Sequence, residues 1–385
     1  AVTGVQTCAL PILFITIACG AVSGFHALIS SGTTPKMLAN ESQACFIGYG
    51  GMLMESFVAI MALVAACIID PGVYFAMNSP MAVLAPAGTT DVVASAAQVV
   101  SGWGFSITPD TLHQIASEVG EQSIISRAGG APTLAVGMAY ILHGSLGGLM
   151  DVSFWYHFAI LFEALFILTA VDAGTRAARF MLQDLLGVIS PGLKKTSSLP
   201  ANLLATALCV LAWGYFLHQG VVDPLGGINT LWPLFGIANQ MLAGMALMLC
   251  AVVLFKMKRQ RYAWVALLPT SWLLICTLTA GWQKSFSPDT KVGFLAIANK
   301  FQAMIDSGNI PPQYTESQLA QLVFNNRLDA GLTIFFMIVV VVLALFSIKT
   351  ALAALKEDKP TAKETPYEPM PENLDAIETQ AKGAH

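Results

Sequence analysis

Two acidic side chains lie where an ionised group is hardest to keep, and a third stands at the edge of such a run. Glu55 sits near the middle of the apolar run 46–69, Glu163 near the middle of the run 154–171, and Asp172 closes that second run. An ionised side chain at the centre of a bilayer costs about 2.5 to 3.5 kcal/mol on insertion scales, so acids in such runs call for a chemical reason. Carboxylates facing a helix bundle could take up and release protons, and so couple proton movement to transport. The plainer account is a neutral or hydrogen-bonded acid that ties helices together. Asp172, with Thr175, also suits the polar lining of a gate.

A second set gathers in GAVSGFHALISSGTTPK at 20–36. Ser23, Gly24, His26, Ser30, Ser31, Gly32, Thr33 and Thr34 supply small hydroxyls and open backbone. A half-helix that begins inside a membrane aims N–H groups and a positive dipole end at an anionic group, so these residues are expected to bind substrate. Close packing through small residues accounts for the same composition. His26 could titrate near neutral pH, yet a single His is more readily a packing residue. Asn239 and Gln240 lie inside LWPLFGIANQMLAGMAL at 231–247, where an unpaired amide is costly. Hydrogen bonding between helices and contact with substrate or an ion both answer that cost.

Other chemistry is not signalled. No G-x-S-x-G, H-E-x-x-H or P-loop occurs. His113, His143, His157 and His218 have no metal spacing, and the seven cysteines stand singly, as small apolar packing residues would. No enzymatic activity, cofactor or metal is expected. The formal charge of −4 comes without a basic stripe, so nucleic acid is not an expected partner either.

The elements that must hold these residues follow from composition. The chain has 385 residues, 55% hydrophobic and 11% charged, against about 25% charged in a soluble domain; its mean hydropathy is +0.66. Apolar runs at 10–31, 46–69, 131–150, 154–171, 199–217, 231–255, 262–281 and 331–352 approach the roughly 20 residues that a bilayer-crossing helix needs. The expectation is an all-α polytopic membrane protein with seven or eight transmembrane or re-entrant helices. The first run is predicted to be broken, because its second half is loaded with Gly and Ser and stopped by Pro35. Non-helical backbone at membrane depth is tolerated where it is buried in protein or lines a cavity.

Lys and Arg collect in short loops at Arg176 and Arg179, Lys194 and Lys195, KMKRQR at 256–261, and Lys349 and Lys356. By the positive-inside rule these mark the cytoplasmic side. The DPLGG turn at 223–227 and the stretch 283–330 are then external. The stretch 73–130 reads as an external or interfacial excursion with weak helices at 91–100 and 111–119. Alternation then requires a re-entrant segment or a further crossing before residue 154. The chain divides into an opening at 1–12 that reads as truncated or non-native, a transporter region at 13–355, and a polar cytoplasmic tail at 356–385 expected to be disordered.

Several blocks resemble one family: GAVSGFHALISSGTTPKMLANE, IGYGGMLMESFVAIMAL, SRAGGAPTLAVG, FWYHFAILFEALFILTAVDAGTR, RFMLQDLLG, GVVDPLGGINTLWPLFGIANQMLA and KETPYEP. Together they look like the C-terminal half of the bacterial carbon starvation protein CstA family. The resemblance implies an inverted-repeat fold of the amino acid, polyamine and organocation type in the bacterial inner membrane. It also implies uptake of peptides or pyruvate during nutrient limitation, with a proton as the coupling partner. A sensor that binds solute without accumulating it is the alternative, and an intramembrane enzyme the third class. The opening 1–12 and the interval 80–91 depart from the family pattern.

Overall fold

Every element among the described residues of this computed structural model, which are 2–18, 20–85, 89–222, 227–311 and 314–363, is helical: fifteen α-helices and a 3-10 turn at Gln260–Tyr262. In chain order the α-helices are α1 (Val2–Ile17), α2 (Gly24–Gly32), α3 (Thr34–Met37), α4 (Gln43–Ile68), α5 (Pro71–Asn78), α6 (Met81–Leu84), α7 (Val92–Gly102), α8 (Pro109–Val119), α9 (Ala131–Ser145), α10 (Val152–Ile189), α11 (Leu199–Val222), α12 (Gly227–Lys256), α13 (Trp264–Phe286), α14 (Phe294–Asp306) and α15 (Glu316–Lys356). Six of them, α4, α10, α11, α12, α13 and α15, are long and apolar enough to cross a membrane. The chain is thus a multi-pass membrane protein. Most of the DPLGG turn and the tail from 364 onward lie outside the described residues.

Local signals start these helices. Asp70 accepts a hydrogen bond from the Gly72 N–H at 2.8 Å ahead of Pro71, and Asp91 accepts from the Val93 and Ala94 N–H groups. Thr108 accepts from the Thr111 N–H, with Pro109 at the first helical position. Each cap satisfies a donor that the helix cannot pair internally. Thr315 and Gln318 form a reciprocal capping box at the start of α15.

The chain resolves into two compact units. One holds 39–173; the other holds 1–38 and 174–371, so the division falls inside α10 between Ala173 and Gly174. In the unit of 39–173, the short helices α5 to α8 are not a loose excursion. Val73, Met77, Leu84, Val100, Leu112 and Val119 share a buried core with Val136 of α9 and Tyr156 of α10. The weak helices expected at 91–100 and 111–119 are α7 and α8, while α5 and α6 had too few apolar repeats to announce themselves.

In the other unit, Ile15 of α1, Ile237, Met241 and Met248 of α12, Ala280 of α13 and Val340 of α15 form one core. A second core joins Ala298 and Phe301 of α14 to Leu319, Leu322 and Val323 of α15. Gln183 of α10 donates to Asn202 Oδ1 of α11 at 2.7 Å, and Asn202 donates to the Thr196 carbonyl at 2.7 Å. Cys209 and Cys276 are buried packing residues, whereas Cys45, Cys67 and Cys250 are exposed.

The apolar run from residue 154 ends at Asp172, but its helix continues through Arg176 and Arg179 to Ile189. A charge ends an apolar stretch, not the backbone ladder, and Asp inside a helix costs only about 0.7 kcal/mol relative to Ala. The final helix begins at Glu316 rather than near 331, and the stretch 283–330 also contains α14. The first turns of α15 are stabilised by burial against α14, which bilayer-length hydropathy does not register.

Candidate functional site

The first apolar run is broken, as its composition predicts. α1 ends at Ile17, α2 begins at Gly24, and the carbonyls at the end of one and the N–H groups at the start of the other need outside partners. Two adjacent side chains of α12 supply them. Asn239 Oδ1 accepts from the Phe25 N–H at 2.9 Å and from the Ser23 hydroxyl at 3.4 Å. Gln240 Nε2 donates to the carbonyls of Phe14 at 3.3 Å and Ile15 at 3.4 Å. One amide therefore caps the second half-helix while its neighbour binds the end of the first.

Glycines permit this approach. A methyl at Gly24 would collide with the carbonyl oxygen of Asn239, and one at Gly236 with the carbonyl oxygen of Ile15. Gly24 thus lets α2 lie against the backbone of α12. Asn239 and Gln240 are both buried, and Gln240 Oε1 has no hydrogen-bond partner among the described residues. The break is accordingly lined by an amide oxygen, hydroxyls and backbone groups, a neutral polar setting that can meet a carboxylate through N–H groups.

The other residues expected to bind substrate sit further along α2 and at its junction with α3. Ser30 and Ser31 donate to the Ala27 carbonyl, and Thr33 and Thr34 to the Ile29 carbonyl. They lie at the far end of α2 and just beyond it, with Ser30 already roughly 9 Å along the axis from Gly24 at 1.5 Å per residue. His26 is exposed, with its ring edge-on to Phe25 at 6.3 Å. Ser23, Gly24, Asn239 and Gln240 therefore converge, while His26 and the four later hydroxyls do not join them.

The expected proton-coupling acids all belong to the unit of 39–173. Glu55 on α4 and Asp172 on α10 are exposed, and Glu163 on α10 is partly buried. Glu163 and Asp172 are nine residues apart on one helix, or roughly 13 Å along its axis.

Residue typing missed a more deeply buried acid. Asp329 of α15 is 2% exposed, and Asn325, Asn326 and Thr333 on the same helix are also buried. Their spacing of three and four residues puts them on one face. That spacing is legible in NNRLDAGLT, but the segment precedes the apolar run 331–352 and reads as external, where polar residues need no explanation. From α13, Ser285 and Thr277 are fully buried.

The family described as Carbon starvation protein CstA matches residues 2–280. The chain is 93% identical over 375 residues to the peptide transporter CstA of Escherichia coli, covering 97% of this chain and 54% of that protein. It is 58% identical over 380 residues to the pyruvate/proton symporter BtsT of Escherichia coli, covering 94% and 53% respectively. The peptide transporter CstA of Helicobacter pylori is 51% identical over 362 residues, covering 93% and 52%. The chain spans about half the length of the curated relatives it matches. No solved structure matches it.

Proposed function

Because the chain belongs to the carbon starvation protein CstA family, we propose that it is the membrane-embedded working part of a secondary transporter that imports a peptide or pyruvate with a proton. The observation that carries this reading is the broken α1–α2 segment, held open by Asn239 and Gln240 of α12. A continuous helix satisfies its own backbone, whereas a broken one at membrane depth presents backbone groups to whatever occupies the gap. Ser23, Gly24, Asn239 and Gln240 form the core of the substrate site. His26, Ser30, Ser31, Thr33 and Thr34 line its approach. Glu55, Glu163 and Asp172 remain in the coupling machinery of the unit of 39–173.

The proposed setting is the bacterial inner membrane under nutrient limitation, with the basic loops and the C-terminus in the cytoplasm. The relatives named for peptides and for pyruvate share a carboxylate-bearing solute, which the N–H groups at the start of α2 would accept. The test is uptake of labelled dialanine and labelled pyruvate into vesicles made with the protein expressed from its complete gene, with and without an inward proton gradient. Gradient-driven accumulation of either solute is expected. Uptake of neither that responds to the gradient would defeat the symport reading, and binding without accumulation would favour a nutrient sensor.

A further inference from the structure

The interface of α13 and α15 holds polar groups that the broken segment does not use. Lys258, just ahead of α13, donates to the Ala354 carbonyl near the end of α15 at 2.6 Å. Further along, Gly281 of α13 lies against Thr333 and Met337 of α15. The two helices therefore run antiparallel. Ser285, one turn beyond Gly281, is level with Thr333 and with Asp329, one turn before Thr333. Asp329 is 2% exposed, and Ser285 and Thr333 are both at 0%. The hydroxyl oxygens of Ser285 and Thr333 are buried without a hydrogen-bond partner among the described residues.

We propose that Asp329 is the carboxylate that takes up the transported proton, served by the hydroxyls of Ser285 and Thr333. This deepens the symport reading above and rests on it. The step adds one proton to a carboxylate oxygen and later returns it, and no other bond changes. Hydroxyls suit such a site because each can donate to the carboxylate and accept from the carboxylic acid, rotating between the two states. Burial supplies the second requirement, since it keeps bulk water from exchanging freely with the carboxyl.

The charged groups on the packed elements are few. Lys284 of α13 is partly buried, with its ammonium 5.8 Å from the Phe294 ring centroid. Lys300 and Asp306 of α14 and Glu316 and Arg327 of α15 are exposed. The charged residue of α12, Lys256, is at the far end, beside the Thr361 N–H that its carbonyl accepts. Asp329 is therefore the buried acid among the described charged groups of this interface.

The experiment uses the protein expressed from its complete gene in proteoliposomes, with labelled dialanine and labelled pyruvate as probes. Asp329→Asn is expected to lower proton-driven accumulation at least tenfold while leaving exchange against preloaded solute within about twofold. Ser285→Ala and Thr333→Val, which keep the carboxyl, are expected to shift the pH of half-maximal uptake by at least half a unit. Accumulation by Asp329→Asn that still follows the proton gradient would overturn the proposal. Should Asp329→Asn fail to fold, unshifted pH profiles in both hydroxyl variants would overturn it equally. Wild-type uptake driven by sodium, and lost in Asp329→Asn, would overturn the assignment to a proton. A wild-type protein that accumulates neither solute would instead bring down the symport reading itself.

Discussion

The amide of Asn239 illustrates how one side chain can replace a missing stretch of helix. Its oxygen accepts from the Phe25 N–H at 2.9 Å, so Asn239→Ala leaves that donor without its cap. Loss of a capping acceptor costs about 1 kcal/mol, and amide exchange at Phe25 should accelerate roughly fivefold, with a lowered melting temperature in detergent. Glu118 offers a second reading at this scale. Tyr140 donates to one carboxylate oxygen at 2.6 Å and Gln114 to the other at 2.8 Å, and these bonds hold Glu118 below the usual carboxylate range. A depressed folded pKa adds stability above the unfolded value and loses it as pH falls through the folded one. Tyr140→Phe should therefore destabilise the protein by about 1 kcal/mol at neutral pH. Thermal melting across pH should show that difference hold above the ordinary carboxylate range and shrink as pH falls below it, through the depressed folded pKa of Glu118.

Among the elements, α12 and α15 do the most to organise their unit. α12 carries Gly236, Asn239 and Gln240 within little more than one turn and so receives both halves of the broken segment. α15 combines a membrane-length apolar stretch with an N-terminal portion buried against α14. The capping box at Thr315 fixes where that portion starts. Thr315→Ala should cost about 1 kcal/mol and raise hydrogen exchange in the first turn of α15, leaving the membrane-embedded turns protected. An equal rise along the whole helix would mean that its two portions unfold together.

At the scale of the whole chain, six long apolar helices and many exposed side chains such as Phe46 and Leu63 require an apolar solvent. Water cannot solvate such a surface without aggregation, since apolar patches of more than a few hundred Å² are rare on soluble monomers. The protein should remain with the membrane fraction after an alkaline carbonate wash. Release into the soluble fraction would contradict the assignment of these helices as spans.

The sequence by itself determined the solvent, the spans and the break. Runs at 46–69, 199–217, 231–255 and 262–281 match α4, α11, α12 and α13 because bilayer thickness sets their length and hydropathy reports it locally. The Gly- and Ser-rich stretch foretold the gap between α1 and α2 for an equally local reason. Only the tertiary structure decided what fills that gap, since Phe25 and its partner Asn239 are 214 residues apart. It also decided which acid is buried. Glu55 stands inside an apolar run yet is exposed, whereas Asp329 stands beside one yet is 2% exposed. Burial belongs to the packing of α13, α14 and α15 around a side chain, and hydropathy along the chain does not measure it.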